Sequence, residues 1–251
     1  VKFNNGKQPY GGGVEFGEKG FSEARWRTKH ALHRNGDFYP THGIGPVAQY
    51  ININRGNRFT SISSFATKSR GLHNYIVDQA GEDHPNAKLE WKLGDVVTSM
   101  LNTSNGETVM IQHDTSLPRP YSLGFRVQGT KGLWMDVNRK LHIEGMSPSH
   151  RWEDAQPYLD KYDHPLWKRW SVESKDAGHG GMDFFVDHAF FESVKNQVQT
   201  PIDVYDSVTW SAIIPLSEQS IIKGYAPMEF PDFTGGNWIK KPNIFALDDS
   251  Y

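Results

Sequence analysis

Two early stretches carry apolar residues at helical spacing. Residues 21–34 (FSEARWRTKHALHR) place Ser22 where a helix cap belongs, and Ala, Arg, Lys and Leu follow it. Residues 43–54 (GIGPVAQYININ) set Val47, Tyr50, Ile51 and Ile53 at helical spacing and stop at Arg55-Gly56. Asn35-Gly36-Asp37 separates the two as a turn. Ahead of both, the stretch through Gly20 is rich in Gly, Lys and Asn and reads as loop or hairpin. At 59–66 (FTSISSFA) the period shortens to two, the signature of a half-buried strand. Residues 67–88 are polar and punctuated by turn residues, and predict loop. Short strands are then predicted at Lys88–Lys92, Val96–Leu101, Thr108–His113, Ser122–Gln128, Gly132–Asp136 and Lys140–Ile143. Asn105-Gly106 lies between two alternating runs and predicts a hairpin. Helical spacing returns at 152–161, 164–170, 182–197 and 204–223, and the tail from Tyr225 is rich in Pro and Gly.

Helices, then hairpins, then helices predict an α+β fold: a large, mostly antiparallel sheet between about 59 and 143, with helices on one face. No internal repeat or low-complexity linker interrupts the chain, so residues 1–251 read as a single domain.

Composition narrows the function classes. Lys+Arg 27 against Asp+Glu 29 gives a net charge of −2, without the basic excess of a nucleic-acid binder. Hydrophobic residues at 37% and charged residues at 22% predict a folded chain. Apolar runs are too short to span a bilayer as a helix. The chain has no cysteine, which removes disulfides, thiol nucleophiles and thiolate metal sites together. It begins at Val1 with no signal-like stretch, and so reads as processed or as a piece of a longer protein.

Familiar catalytic constellations are largely missing. Gly43-Ile44-Gly45-Pro46-Val47-Ala48 fits a loose dinucleotide fingerprint, but no apolar strand precedes it and no parallel strand follows. There is no Walker sequence, no His-Glu-x-x-His and no Gly-x-Ser-x-Gly. His30 and His33 sit three apart in a basic helix and read as a solvated face in preference to a metal pair, so no metal is expected. Asp114, Glu144, Asp183 and Asp206 cannot be paired by spacing as glycosidase carboxylates. Two segments look unlike scaffold. Tyr39-Pro40-Thr41-His42-Gly43 gathers a phenol, a hydroxyl and an imidazole on a proline-stiffened loop. It reads either as a proton-transfer loop or as Thr41 capping a helix with His42 bonded to backbone. Gly178-His179-Gly180-Gly181-Met182-Asp183 reads either as a backbone shaped for close approach or as a flexible loop with Asp183 as a cap.

Taken together, these segments resemble the C-terminal part of glycoside hydrolase family 109, within the Gfo/Idh/MocA oxidoreductase superfamily. The resemblance runs from about Trp26 to Trp238. It rests on Trp26-Arg27, the stretch Arg34–Ala48, Asn52-Ile53-Asn54-Arg55-Gly56 and Gln112-His113-Asp114-Thr115 with Pro118-Arg119-Pro120-Tyr121. It continues through Gly178–Asp183, Asp203-Val204-Tyr205-Asp206, Trp210-Ser211 and Phe230-Pro231-Asp232-Phe233. The resemblance implies removal of terminal α-linked N-acetylgalactosamine with a tightly held NAD. Hydride leaves the sugar C3, a base takes the acidified C2 proton, the C1 group is eliminated, water adds, and hydride returns. It further implies that Arg27, Tyr39, Pro40, Thr41, His42 and Tyr121 bind the sugar and that His179 lies at the pocket edge. Tyr39 and His42 would be catalytic, and Tyr39 would also lie near the nicotinamide.

The family's N-terminal Rossmann domain is missing from this sequence, as is a Tyr-Ile-His-Asp segment expected before Arg27. The implied partners are therefore that Rossmann domain, which would hold most of the NAD, a carbohydrate substrate, and a second copy paired through the sheet. The isolated chain is expected to be inactive. The resemblance also points to a periplasmic or secreted setting. Two further readings stand beside the glycosidase: a sugar oxidoreductase of the same superfamily, and a non-catalytic carbohydrate-binding module.

Overall fold

The computed structural model describes residues 13–120, 122–244 and 247–251. In chain order the helices are α1 (Arg27–His33), α2 (Thr41–Tyr50), α3 (Gly71–Ala80), α4 (Gln156–Tyr162), α5 (Pro165–Arg169), α6 (Met182–Asn196) and α7 (Val204–Ile222). The strands are β1 (Phe59–Ala66), β2 (Val96–Thr103), β3 (Thr108–Asp114), β4 (Arg126–Gly129), β5 (Gly132–Met135), β6 (Lys140–Ile143), β7 (Glu153–Asp154) and β8 (Met228–Glu229). The chain divides into two compact units, one of Val1–Gly124 with Val208–Lys240 and the other of Phe125–Ser207 with Lys241–Tyr251.

The first unit is built on a four-stranded antiparallel sheet in the order β3-β2-β1-β8. Alternation decides its faces. Val97, Ser99, Leu101 and Thr103 of β2 and Val109, Ile111 and His113 of β3 are buried, while their neighbours are not. Helices cover that face. Ile44 and Ala48 of α2 and Ile213 and Leu216 of α7 form one core with Phe59, Ile62, Leu101 and Phe230. A second cluster joins Ala31 of α1 and Leu72 and Ile76 of α3 to Trp91, Leu93 and Val97. The opposite face leaves Phe65 and Met110 exposed. Polar groups stitch the sheet to α7 where packing brings them inside. Ser220 Oγ accepts from Ser64 N–H at 2.9 Å, and the buried Ser64 and Ser99 hydroxyls share a bond of 2.7 Å.

The second unit has its own four-stranded antiparallel sheet, β4-β5-β6-β7, with α4, α5 and α6 following it in the chain. Aromatic packing holds α5 to α6: Trp167 meets Phe185 at 4.4 Å, and Trp170, the residue after α5, meets His188 at 4.7 Å.

The α+β class and the antiparallel pairing are as the sequence predicts, and the hairpin at Asn105-Gly106 is present, with Gly106 at φ +94°. Several details differ. The run of strands between 59 and 143 forms two sheets, because β3 is an edge strand and β4 starts a new pairing. The 67–88 loop contains α3 and a 3₁₀ turn at Pro85–Lys88, and no strand forms at Lys88–Lys92. The helix expected at 43–54 begins at Thr41 and ends at Tyr50, followed by tight turns in which Asn52 and Asn54 take positive φ. The helix expected at 21–34 opens as a 3₁₀ turn, Ser22–Arg25, before α1. The tail contributes β8 to the first sheet.

Candidate functional site

Arg27 is the first residue of α1, and the Tyr39–His42 loop runs into the first turn of α2. Although twelve positions separate Arg27 from Tyr39 in the sequence, the two stack: the Arg27 guanidinium lies 4.3 Å from the centre of the Tyr39 ring. The Tyr39 and His42 rings stack in turn at 4.7 Å and 27°. Arg27 also lies 4.9 Å from the Trp26 ring, and its Nη2 is 3.0 Å from Glu23 Oε1. The pile runs from a largely buried cation through a half-buried phenol to an exposed imidazole. A planar cation on an aromatic face is attractive and keeps its fork of donors in a fixed plane.

The support beneath the loop explains its shape. Pro40 is buried at the head of α2, and its carbonyl accepts from Gly43 N–H at 3.0 Å and Ile44 N–H at 2.8 Å. Thr41 is the first helical residue and makes no capping bond, so the cap expected of it is absent. Asp37 is buried, its Oδ1 accepts from Tyr39 N–H at 3.2 Å, and its own N–H donates to Ser217 Oγ at 2.9 Å. Burial pushes the Asp37 carboxyl up to about 6, against the pull of the Tyr39 N–H. Next to it Arg34 grips Glu218 with both Nε, at 2.8 Å, and Nη2. Gly36 allows this approach to α7, since a Cβ there would stand 2.7 Å from Glu218 Cγ.

His113 arrives from β3 beneath the same region. Its ring meets Phe38 edge-on at 6.3 Å, and Phe38 in turn carries the Arg34 guanidinium at 4.9 Å. Burial drives the His113 imidazole down to about 3, and the Arg27 cation adds to the effect, so the ring is neutral. His113 Nδ1 and Arg27 Nε are buried with no hydrogen-bond partner among the described residues. The sequence quotes His113 only as part of a motif. Its alternation with Ile111 and Val109 was the available signal that it points inward.

Arg119 Nε donates to Asp114 Oδ2 at 2.6 Å and Nη1 to the Ser122 carbonyl at 3.2 Å, clipping together the two ends of the Pro118–Pro120 loop. Tyr121, expected as the fourth corner of the site, lies outside the described residues. The structure thus brings together Arg27, Tyr39, Pro40, Thr41 and His42.

His179 belongs to the second unit. Its Nδ1 lies 2.9 Å and 3.0 Å from the two Asp183 carboxylate oxygens, and its side chain is exposed. Asp183 is therefore a partner of His179 in the first turn of α6, and the cap position is taken by Gly181. A Cβ on residue 178 would come within 2.2 Å of Asp183 Oδ2, so glycine there makes room for the pair. His179, Gly180 and Gly181 all have positive φ.

Gly43, Ile44 and Gly45 lie inside α2 and spend their amides within the helix, so the loose fingerprint forms no phosphate loop. His30 Nδ1 sits 3.1 Å from Arg34 Nη1 and its ring packs on Trp26 and Phe38. Among the described residues no group of three or more His, Cys, Asp or Glu is placed to hold a metal ion.

Comparisons with known proteins place the chain in a family. A model described as "Glycosyl hydrolase 109, C-terminal domain" matches residues 1–240. A "Glycosyl hydrolase family 109 protein" of Stenotrophomonas maltophilia (strain K279a) is 62% identical over 254 residues, covering 100% of this chain and 56% of the relative. An "Alpha-N-acetylgalactosaminidase" of Tannerella forsythia is 53% identical over 250 residues, covering 98% and 53%. The chain thus spans about half the length of the curated relatives it matches. Among solved structures, levoglucosan dehydrogenase in complex with NADH and levoglucosan shares the fold at a TM-score of 0.51 and 13% identity, covering 83% of this chain and 62% of that one. With a C-terminal-domain model matched over nearly its whole length, the chain belongs to glycoside hydrolase family 109.

Proposed function

We propose that these residues form the substrate-binding half, residues 1–251 as one functional domain, of an NAD-dependent glycosidase that removes terminal α-linked N-acetylgalactosamine. The observation that carries the reading is the Arg27–Tyr39–His42 stack, which grades from a buried cation to an exposed imidazole on a braced loop. A relative named alpha-N-acetylgalactosaminidase supports the choice of sugar. The side chains suit that substrate. Arg27 presents forked donors to hydroxyl and acetamide oxygens. The Tyr39 and His42 rings offer an aromatic surface to a sugar ring. His42 is the exposed imidazole of the stack and takes the proton from C2; Tyr39 shares that proton and orients the ring. Tyr121 and His179 enter this reading as further sugar-binding residues on the family resemblance alone.

The described residues build no dinucleotide fold, so NAD would be held mainly by a nucleotide-binding domain, with Tyr39 as this chain's contact to it. NAD supplies reversible hydride transfer at the sugar, which makes the neighbouring C–H acidic enough for a phenol or imidazole to act on. Without that domain the chain is expected to bind sugar and turn nothing over.

The test is hydrolysis in D₂O by the enzyme joined to its nucleotide-binding domain. Proton removal at C2 and its return from solvent place deuterium at C2 of the released sugar, which mass spectrometry reads directly. Product without deuterium at C2 would point instead to direct displacement at C1 and would remove the roles given to Tyr39 and His42.

A further inference from the structure

Two buried polar atoms beside the Tyr39 loop lack a partner among the described residues: Arg27 Nε on α1 and His113 Nδ1 on β3. Buried donors and acceptors are nearly always satisfied, by protein or by ordered water, so each such atom calls for an explanation. The two belong to one corner of the fold. Ala31 lies one turn along α1 from Arg27 and shares its face. Ala31 packs in the same cluster as Val97 of β2, and Val97 is the cross-strand partner of His113. Phe38 packs on that cluster as well and meets the His113 ring at 6.3 Å. Their chemistry is complementary. The Nε of an arginine can only donate, while a neutral imidazole with its proton on Nε2 presents Nδ1 as an acceptor. Burial keeps the His113 ring neutral. Neither atom has a partner, so no direct bond joins them, and a group between them must both accept and donate. Water does both, and a buried water has two to four polar partners.

We infer that one ordered water accepts from Arg27 Nε–H and donates to His113 Nδ1, which makes His113 a positioning residue for Arg27. The inference rests on the sugar-binding role proposed for Arg27 and deepens it. The contacts that Arg27 makes towards the surface hold it weakly. Its Nη2 is 3.0 Å from Oε1 of Glu23, whose side chain is 42% exposed, and such a pair is worth little. The Tyr39 and Trp26 rings, at 4.3 Å and 4.9 Å, offer faces to lie on but accept no hydrogen bond in the guanidinium plane. A bond at Nε fixes that plane from the buried side. With Nε tied to the sheet and Nη2 on Glu23, Nη1 is the nitrogen left to the sugar.

The test uses the enzyme joined to its nucleotide-binding domain. A crystal structure that resolves waters should place one within about 3.2 Å of both Arg27 Nε and His113 Nδ1. His113→Leu, which removes the acceptor, should raise KM by roughly tenfold with kcat nearly unchanged, the scale of one hydrogen bond to a charged group. His113→Gln, which keeps an acceptor, should recover most of that loss. Arg27→Lys removes Nε, so in its background His113→Leu should add nothing. A merely structural loss would persist in both backgrounds, and that result would overturn the proposal. So would a crystal structure in which the two atoms bond to other groups with no water between them. If Arg27→Lys leaves KM unchanged, the sugar-site reading falls, and the water by itself decides whether His113 holds Arg27. If His113→Leu does not fold, the same density decides: a water joining the two atoms sustains the proposal, and dry packing overturns it.

Discussion

The residues of the proposed site differ in how they couple to their surroundings, and that difference sets what each substitution should do. His42 is exposed and Tyr39 half-buried, so changing them removes chemistry more than packing. In the enzyme with its nucleotide-binding domain, Tyr39→Phe and His42→Ala should each lower kcat by about a hundredfold or more, the scale of a lost acid–base group, with thermal midpoints near that of the parent. Steady-state kinetics beside a melting curve checks both halves of that expectation. The two buried titratable groups beneath the loop behave oppositely with pH. Asp37 has a folded value of about 6, above its ordinary 3.8, so its contribution is full below 3.8 and lost as pH rises through 6. His113 has a folded value of about 3, below its ordinary 6.5, so its contribution is full above 6.5 and lost as pH falls towards 3. Asp37→Asn, which keeps an acceptor for the Tyr39 N–H, should therefore be the more stable protein at pH 7, by on the order of 2–3 kcal/mol. Its advantage should vanish by pH 4. His113→Gln should flatten the acid limb instead. Denaturant midpoints between pH 4 and 7 separate the two slopes.

At the scale of elements, the loop that carries Tyr39 is set by its seat on α7. Arg34 on Glu218, Asp37 on Ser217 and the bare backbone of Gly36 between them hold it there. Gly36→Ala would put a methyl 2.7 Å from Glu218 Cγ and 3.0 Å from Ser217 Oγ. The expected cost is about 1–3 kcal/mol of overpacking, together with a raised KM as the loop lifts. An unchanged KM with full stability would show that the seat does not position Tyr39. The same scale explains what the sequence made legible. Strands β1, β2 and β3 announce themselves by strict alternation, and the β2–β3 turn by Asn105-Gly106. Helix α3 did not, although Leu72, Tyr75 and Ile76 keep helical spacing. Its cap comes from a distance: Asp95 accepts from the Arg70 and Gly71 N–H groups, at 3.0 Å and 2.8 Å to Oδ1, from a position 24 residues beyond Gly71. No local residue marks the start. Likewise β8 is two residues long and exists by pairing with Ser61 and Ile62. In the site, Tyr39 and His42 were legible because they share one short loop. His113 and Asp37 were not, because burial that shifts a pKa is a property of the packed fold and has no counterpart in spacing.

At the scale of the whole molecule, two units each carry their own antiparallel sheet, and the candidate chemistry concentrates in the first. Among the described residues no helix is long and apolar enough to cross a membrane. The glycines that resemble a nucleotide fingerprint are helical. Calorimetry on residues 1–251 alone should therefore detect weak NAD binding or none; tight binding would mean that a nucleotide site exists in a form the Gly43–Ala48 segment does not provide. The central claim is that the Arg27–Tyr39–His42 stack is where the sugar sits. A crystal structure of the enzyme with its nucleotide-binding domain and bound N-acetylgalactosamine tests it most directly. The account predicts the sugar ring against Tyr39 and His42, with Arg27 donating to its oxygens and Tyr121 facing the same opening. A sugar bound elsewhere, or Tyr121 on the opposite face from Tyr39 and His42, would contradict it.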